Sequence, residues 1–286
     1  NRSHWSTSKT PSYTKSVSWQ HHLEVDCNDG CSFVDVLKTC ENFKQNYDFE
    51  YSNDTRARIK SLIVNDDQIF AGITLYEPKA LVPVTPKDGD HNDLQDVDNY
   101  DKCHIFLLAT ESNILTIFQL SGTHPLSKLK KIFSLMNINV NISEKLNKDA
   151  LGKIIKDGIR SISLSIETTK EDLEEAKATS LGITGKAKEA LSRLFEKEQD
   201  DDNSFYGLLT LDKRHNPKLL NIANKNPSLI IDELSEEFFI TTSKGQAIKS
   251  SEIKTKKDYY TRKYGSTTIK AEHAKEILEH FKDFIL

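Results

Sequence analysis

Apolar residues at Phe33, Val34, Leu37 and Cys40, with Phe43 and Phe49 beyond them, follow the helical interval and predict an amphipathic helix running to about residue 45. That helix is expected to cover a sheet. Strands are predicted over 58–64, 69–76, 104–110 and 114–120, each rich in Ile, Leu, Phe or Thr. The last two make a hairpin across Glu111, Ser112 and Asn113. Gly122 and Pro125 then lead into a helix carrying Leu126, Leu129, Ile132, Phe133 and Met136 at helical spacing. A second region predicts a helix from about 147 to 156, a strand over 159–166, and helical segments over 170–180 and 184–197. Strands over 205–211 and 238–242 follow, and a final helix buries Ala274, Ile277, Leu278, Phe281 and Ile285. The first twenty residues, with Trp5, Tyr13 and Trp19, suit an edge strand or an arm.

Strands that come as hairpins, with helices laid against them, imply an α+β fold of mostly antiparallel sheets rather than a doubly wound parallel one. A chain of 286 residues exceeds one ordinary core, and two domains are expected, at 1–145 and 146–286. Between the second and third strands, residues 77–101 carry Pro78, Pro83 and Pro86 and seven carboxylates against Lys79 and Lys87. This predicts a mobile acidic loop. Its Asp88, Asp90, Asp93, Asp96 and Asp98 lack the spacing, central Gly and closing Glu of a calcium-binding EF-hand.

Composition narrows the classes. With 37% hydrophobic residues, 13 Phe and 9 Tyr, the chain has the apolar mass for real cores. Its longest apolar runs, such as 105–109, fall far short of the roughly 20 residues of a membrane span. Four cysteines, Cys27, Cys31, Cys40 and Cys103, form no disulfide framework and read as reduced thiols, so a cytoplasmic, soluble protein is expected. His21 and His22 with Cys27, Cys31 and Cys40 do not make the two tight ligand pairs of structural zinc, and no metal or cofactor is expected. A Gly-x-Ser-x-Gly elbow, a zinc-binding His-Glu-x-x-His and a dinucleotide glycine fingerprint are all missing from the sequence. Cys103 and His104, adjacent on a strand, point to opposite faces. A non-enzymatic role follows as the expectation.

A net charge of −4 gives no overall attraction for nucleic acid, so any such role needs a local patch. Residues 240–275 hold nine Lys and Arg against three acids, with Tyr259, Tyr260 and Tyr264 set among the cations. Aromatic rings among cations suit phosphate contact with stacking support, and the candidate contacts are Lys254, Lys256, Lys257, Tyr259, Tyr260, Arg262, Lys263 and Tyr264. The same residues also suit a solvated ribbon whose lysines protect a strand edge. Gly182, Gly185 and Lys186 form a Gly-x-x-Gly turn of the kind with which KH domains clamp an RNA or single-stranded DNA backbone, and equally a helix C-cap followed by a Thr184 N-cap.

The strand 104–108 turning into 114–120, followed by Gly122, Pro125 and Leu129, resembles the RexA phage-exclusion family. The alternating strand and charged helix of 159–176 and the region around Gly245 extend that likeness to about a third of the chain. The acidic segment 77–101 and the stretch 178–197 depart from the family pattern. The resemblance implies an intracellular, non-enzymatic component of phage defence by abortive infection, a homodimer that binds duplex DNA with little sequence preference and works with a membrane partner protein. A protein-interaction or regulatory module without nucleic-acid binding is the alternative.

Overall fold

Hairpin pairing organises the structure, a computed structural model that describes residues 4–17, 20–27, 30–85, 93–119, 125–169, 204–234, 238–255, 257–264 and 268–286. The fold is α+β, with three antiparallel sheets among these residues. Two compact units divide the chain, Asn1–Lys145 with Thr255–Leu286, and Leu146–Lys254.

The first unit holds β1 (Trp5–Ser6), β2 (Lys15–Val17), β3 (Gln20–Asp26), α1 (Phe33–Thr39), β4 (Asp48–Ser52), β5 (Thr55–Val64), β6 (Ile69–Val84), β7 (Asp93–Ala109), β8 (Asn113–Gln119), α2 (Pro125–Leu135) and β9 (Asn141–Glu144), then β14 (Tyr259–Thr261) and α7 (Ala271–Ile285). Its main sheet runs β4-β5-β6-β7-β8-β3-β9, and a small one runs β1-β14-β2. The apolar run at 105–109 is continuous because β7 is covered on both faces. Cys103, Ile105, Leu107 and Ala109 join one cluster with Phe33, Leu37, Leu129 and Phe133 of α1 and α2. Phe106 and Leu108 join another with Ile277, Leu278 and Phe281 of α7.

The second unit contains α3 (Lys148–Asp157), β10 (Ile159–Thr169), β11 (Ser204–Asp212), α4 (Pro217–Lys225), α5 (Pro227–Glu233), β12 (Phe238–Thr242), β13 (Ala247–Lys249) and α6 (Ser250–Ile253). Its sheet runs β11-β10-β12-β13. Asn147 caps α3 by accepting from the backbone N–H groups of Asp149 and Ala150. Gly158 ends that helix at φ 71°, a left-handed conformation suited to glycine. The Asn224 side chain then ties α4 to β10. It accepts from Ile159 N–H and donates to the carbonyls of Ile159 and Leu220.

Several expectations need correction. Most of residues 77–101 is not loop: β6 and β7 pair through Glu77↔Tyr100, Leu81↔Asp96 and Val84↔Asp93. The prolines misled because β5 pairs with β6 no further than Tyr76. Pro78 and Pro83 thus lie on a stretch with an open edge, where a missing N–H costs least. Helix α1 stops at Thr39, because Cys40 turns extended; Phe43 and Phe49 reach the same core from the following loop and from β4. The segment Thr255–Leu286, expected in a second domain of 146–286, packs within the first unit, since α7 supplies the cover for Phe106 and Leu108. Strand β3 and helices α4 and α5 were not foreseen. The Gly-x-x-Gly sequence and the helices expected over 170–180 and 184–197 lie outside the described residues.

Replacing Asn224 with Ala should destabilise the second unit by about 2 kcal/mol, the range for losing hydrogen bonds whose backbone partners stay partly buried. Denaturant unfolding followed by circular dichroism measures it. A loss below about 0.5 kcal/mol would show that the tie is dispensable.

Candidate nucleic-acid interface

The sequence-predicted contacts divide sharply once their surroundings are known. Lys254, in the second unit, is only 8% exposed. Its ammonium donates to the carbonyl of Leu234 at 3.0 Å and faces the Phe238 ring at 6.0 Å. Leu234 is the C-cap of α5, so Lys254 satisfies the negative end of that helix and is no phosphate contact. Tyr259 is likewise withdrawn. It is 0% exposed, with Trp5 edge-on at 5.3 Å and its hydroxyl sharing a 2.9 Å hydrogen bond with His280 Nδ1. Burial pushes its phenol well above the usual tyrosine value, so it stays neutral.

The remaining contacts surround the small sheet of the first unit. Strand β14 lies between β1 and β2 through Ser6↔Tyr260 and Tyr260↔Ser16, and alternation turns Tyr259 and Thr261 inward and Tyr260 outward. Beyond the strand, Arg262, Lys263 and Tyr264 are exposed, with Arg262 5.8 Å from the Tyr13 ring. Lys257 is half-buried, its ammonium 4.4 Å from the Phe284 ring and its backbone N–H donating to Gln20 Oε1. Lys270, which the sequence reading did not single out as a contact, stands 5.7 Å from the Tyr264 ring. Lys256, Gly182, Gly185 and Lys186 lie outside the described residues.

Several cations elsewhere in this unit are matched by acids. Asp48 takes both Arg56 and Arg58 at 2.6 Å and accepts the Tyr76 hydroxyl at 2.5 Å. Although burial opposes it, these donors hold the Asp48 carboxyl below the usual range. Lys60 pairs with Asp101, and Lys102 with Glu77. Alternation of Arg56, Arg58 and Lys60 along β5 was the signal available for this network. By contrast, among the described residues no carboxylate lies within ion-pair distance of Lys257, Arg262, Lys263 or Lys270.

Histidines fasten the segment to the sheet. His104 Nε2 meets Asp101 at 3.1 Å and its Nδ1 meets the Thr268 hydroxyl at 3.2 Å. His273, stacked on His4 at 4.8 Å, shares a 2.9 Å hydrogen bond with Thr261. Neither cleft described in this unit, one of about 370 Å³ beside Asn113 and Lys145 and one of about 350 Å³ beside Cys40 and Met136, touches these groups. The four thiols are unlinked, and burial raises Cys103 to about 11. Among the described residues no three His, Cys, Asp or Glu side chains converge as a metal site.

Burial is the first cause that lowers His104, His273 and His280, with Asp101 opposing it at the first, His4 adding to it at the second and Lys257 at the third. A folded value below the usual 6.5 means that the released segment binds protons more readily. The attachment is therefore complete above that pH and weakens as pH falls through it. Amide exchange at 257–264 and 268–270 should accelerate between pH 7.5 and 5.5 relative to exchange in β5, after correction for intrinsic rates. An unchanged ratio would refute the coupling.

No family model, curated protein or solved structure matches this chain.

Proposed function

We propose that the protein binds duplex DNA, weakly and with little sequence preference, through the exposed rim of the small sheet. The observation that carries this reading is the set of cations without acid partners among the described residues, Lys257, Arg262, Lys263 and Lys270, beside the outward rings of Tyr260 and Tyr264. Phosphate contact needs positive groups that are not already neutralised by the protein, and hydroxyl-bearing rings add hydrogen bonds or stacking. The role is binding and not catalysis. The resemblance to RexA proteins supports a setting in phage defence, in the cytoplasm, as a homodimer beside a membrane partner. Among the described residues no helix is long and apolar enough to cross a membrane.

Each phosphate neutralised releases condensed counterions, so log affinity falls with log salt by about 0.9 per contact. Four contacts give a slope near −3.6 per chain. Fluorescence anisotropy with a labelled duplex should show this slope, and replacing all four cations with Ala should flatten it while circular dichroism shows the protein still folded, because Arg262, Lys263 and Lys270 are exposed charges, which stabilise little, and half-buried Lys257 makes no ion pair among the described residues. Absence of binding at about 50 mM salt, or binding untouched by the fourfold change, would overturn the proposal.

A further inference from the structure

Beyond Tyr76 the strands β6 and β7, among the described residues, pair only with each other, because β5 reaches no further than Arg56↔Tyr76 and β8 no further than His104↔Gln119. Residues 77–84, at about 3.4 Å per residue, make an arm about 27 Å long. Cross-strand pairs Lys79↔Asp98, Leu81↔Asp96 and Pro83↔Leu94 place these side chains on one face, with Tyr100 of the next pair. Leu81 is 62% exposed and Leu94 64%. A face that combines bare leucines with Asp96 and Asp98 is unlike an ordinary solvated ribbon, whose exposed positions are polar.

We infer that this arm docks on the basic face of a second copy of the chain. The charges select the occupant. Arm against arm brings together two faces on each of which Asp96 and Asp98 outnumber the single cation, Lys79, whereas the rim of the small sheet offers Lys257, Arg262, Lys263 and Lys270 with no acid partners among the described residues. Its apolar content also matches, since Tyr264 is 52% exposed and Phe284 54% exposed, each beside a lysine. Leucines of the arm cover those rings, while Asp96 and Asp98 take places that phosphates take in DNA. His104, at the root of the arm, holds Thr268 of the basic segment, so the two surfaces start side by side. Leu81 lies seven residues beyond Thr74, the partner of His104, and so about 24 Å further along the strand. The docking rests on the functional reading above in one respect: the same face must be open to anions.

Sedimentation of the full chain at about 50 mM and 500 mM salt tests it. Wild type self-associates at the lower salt and at least tenfold more weakly at the higher. The pair Asp96→Lys with Asp98→Lys weakens association by about tenfold or more, as does Lys257→Glu with Lys263→Glu, and mixing the two variants restores it. Circular dichroism confirms that both remain folded, and Asp96→Asn with Asp98→Asn supplies a milder arm variant with the same direction of effect. A wild-type chain that stays monomeric at about 100 μM in low salt, or charge-reversed variants that fail to recover on mixing, overturns the inference. Duplex binding is measured in parallel. DNA binding by a monomeric chain sinks the arm and leaves the DNA reading standing, while charge-swapped association without DNA binding does the reverse.

Discussion

The pairing of β6 with β7 is the contact on which the first unit depends. Its inner half, from Ile69↔Ala109 to Leu75↔Cys103, is the middle of a seven-stranded sheet and is covered on both faces by helices. Two-sided burial fixes register, since a slip of one residue would exchange the side chains of the two cores. Gly72 belongs to this constraint: a side chain there would press on Ser61 of β5 and on the Phe106 ring. The outer half inherits the register without the cover. That is how one hairpin supplies both the axis of the fold and a projecting arm.

Which groups remain available for recognition is decided by local bonding rather than by residue type. Lys254 and Lys263 are the same side chain nine positions apart, yet one caps a helix from a buried position and the other stands in solvent. Tyr259 and Tyr260 are adjacent, and strand alternation alone sends one to the core and the other outward. Arg56 and Arg58 would look as suitable for phosphate as Arg262, except that Asp48 already occupies both guanidiniums. A buried or half-buried pair of this kind stays closed, because separating it leaves charges poorly solvated.

The hairpin core, the long amphipathic helices and the α+β class were legible, because their signals are periods of 2 and 3.6 residues that tertiary contacts reinforce. Phe238–Thr242 was read to the residue. The arm was not legible: Asp and Pro disfavour strands locally, and only pairing of Leu81, Val82 and Val84 with a partner some twelve residues away overrides that. The packing of α7 against Phe106 and Leu108 was equally hidden, since no local pattern records which of two cores an amphipathic helix covers. For the candidate interface, the cluster of cations was visible as a count. What each cation bonds to is a matter of three dimensions, and it removed Lys254 and Tyr259 while adding Lys270.

Net charge conceals this arrangement. Residues 77–101 carry seven acids against two lysines, a balance of −5, and residues 255–275, the part of the basic stretch that belongs to the first unit, carry six cations against two acids, a balance of +4, within a chain of −4. At physiological salt the screening length is about 8 Å, shorter than either segment, and a partner therefore senses the segment it approaches and not the total. Opposite segments of this size attract one another as readily as they attract outside ligands. On the two proposals above, the basic rim has two competitors of similar chemistry, phosphates and the carboxylates of its own sequence. The competitor with the denser charge gains most as salt falls, since its counterions are already condensed and are released on contact. On that reading lower salt would shift the rim from carboxylate toward phosphate, and a chain regulated this way would release its arm where DNA is locally concentrated.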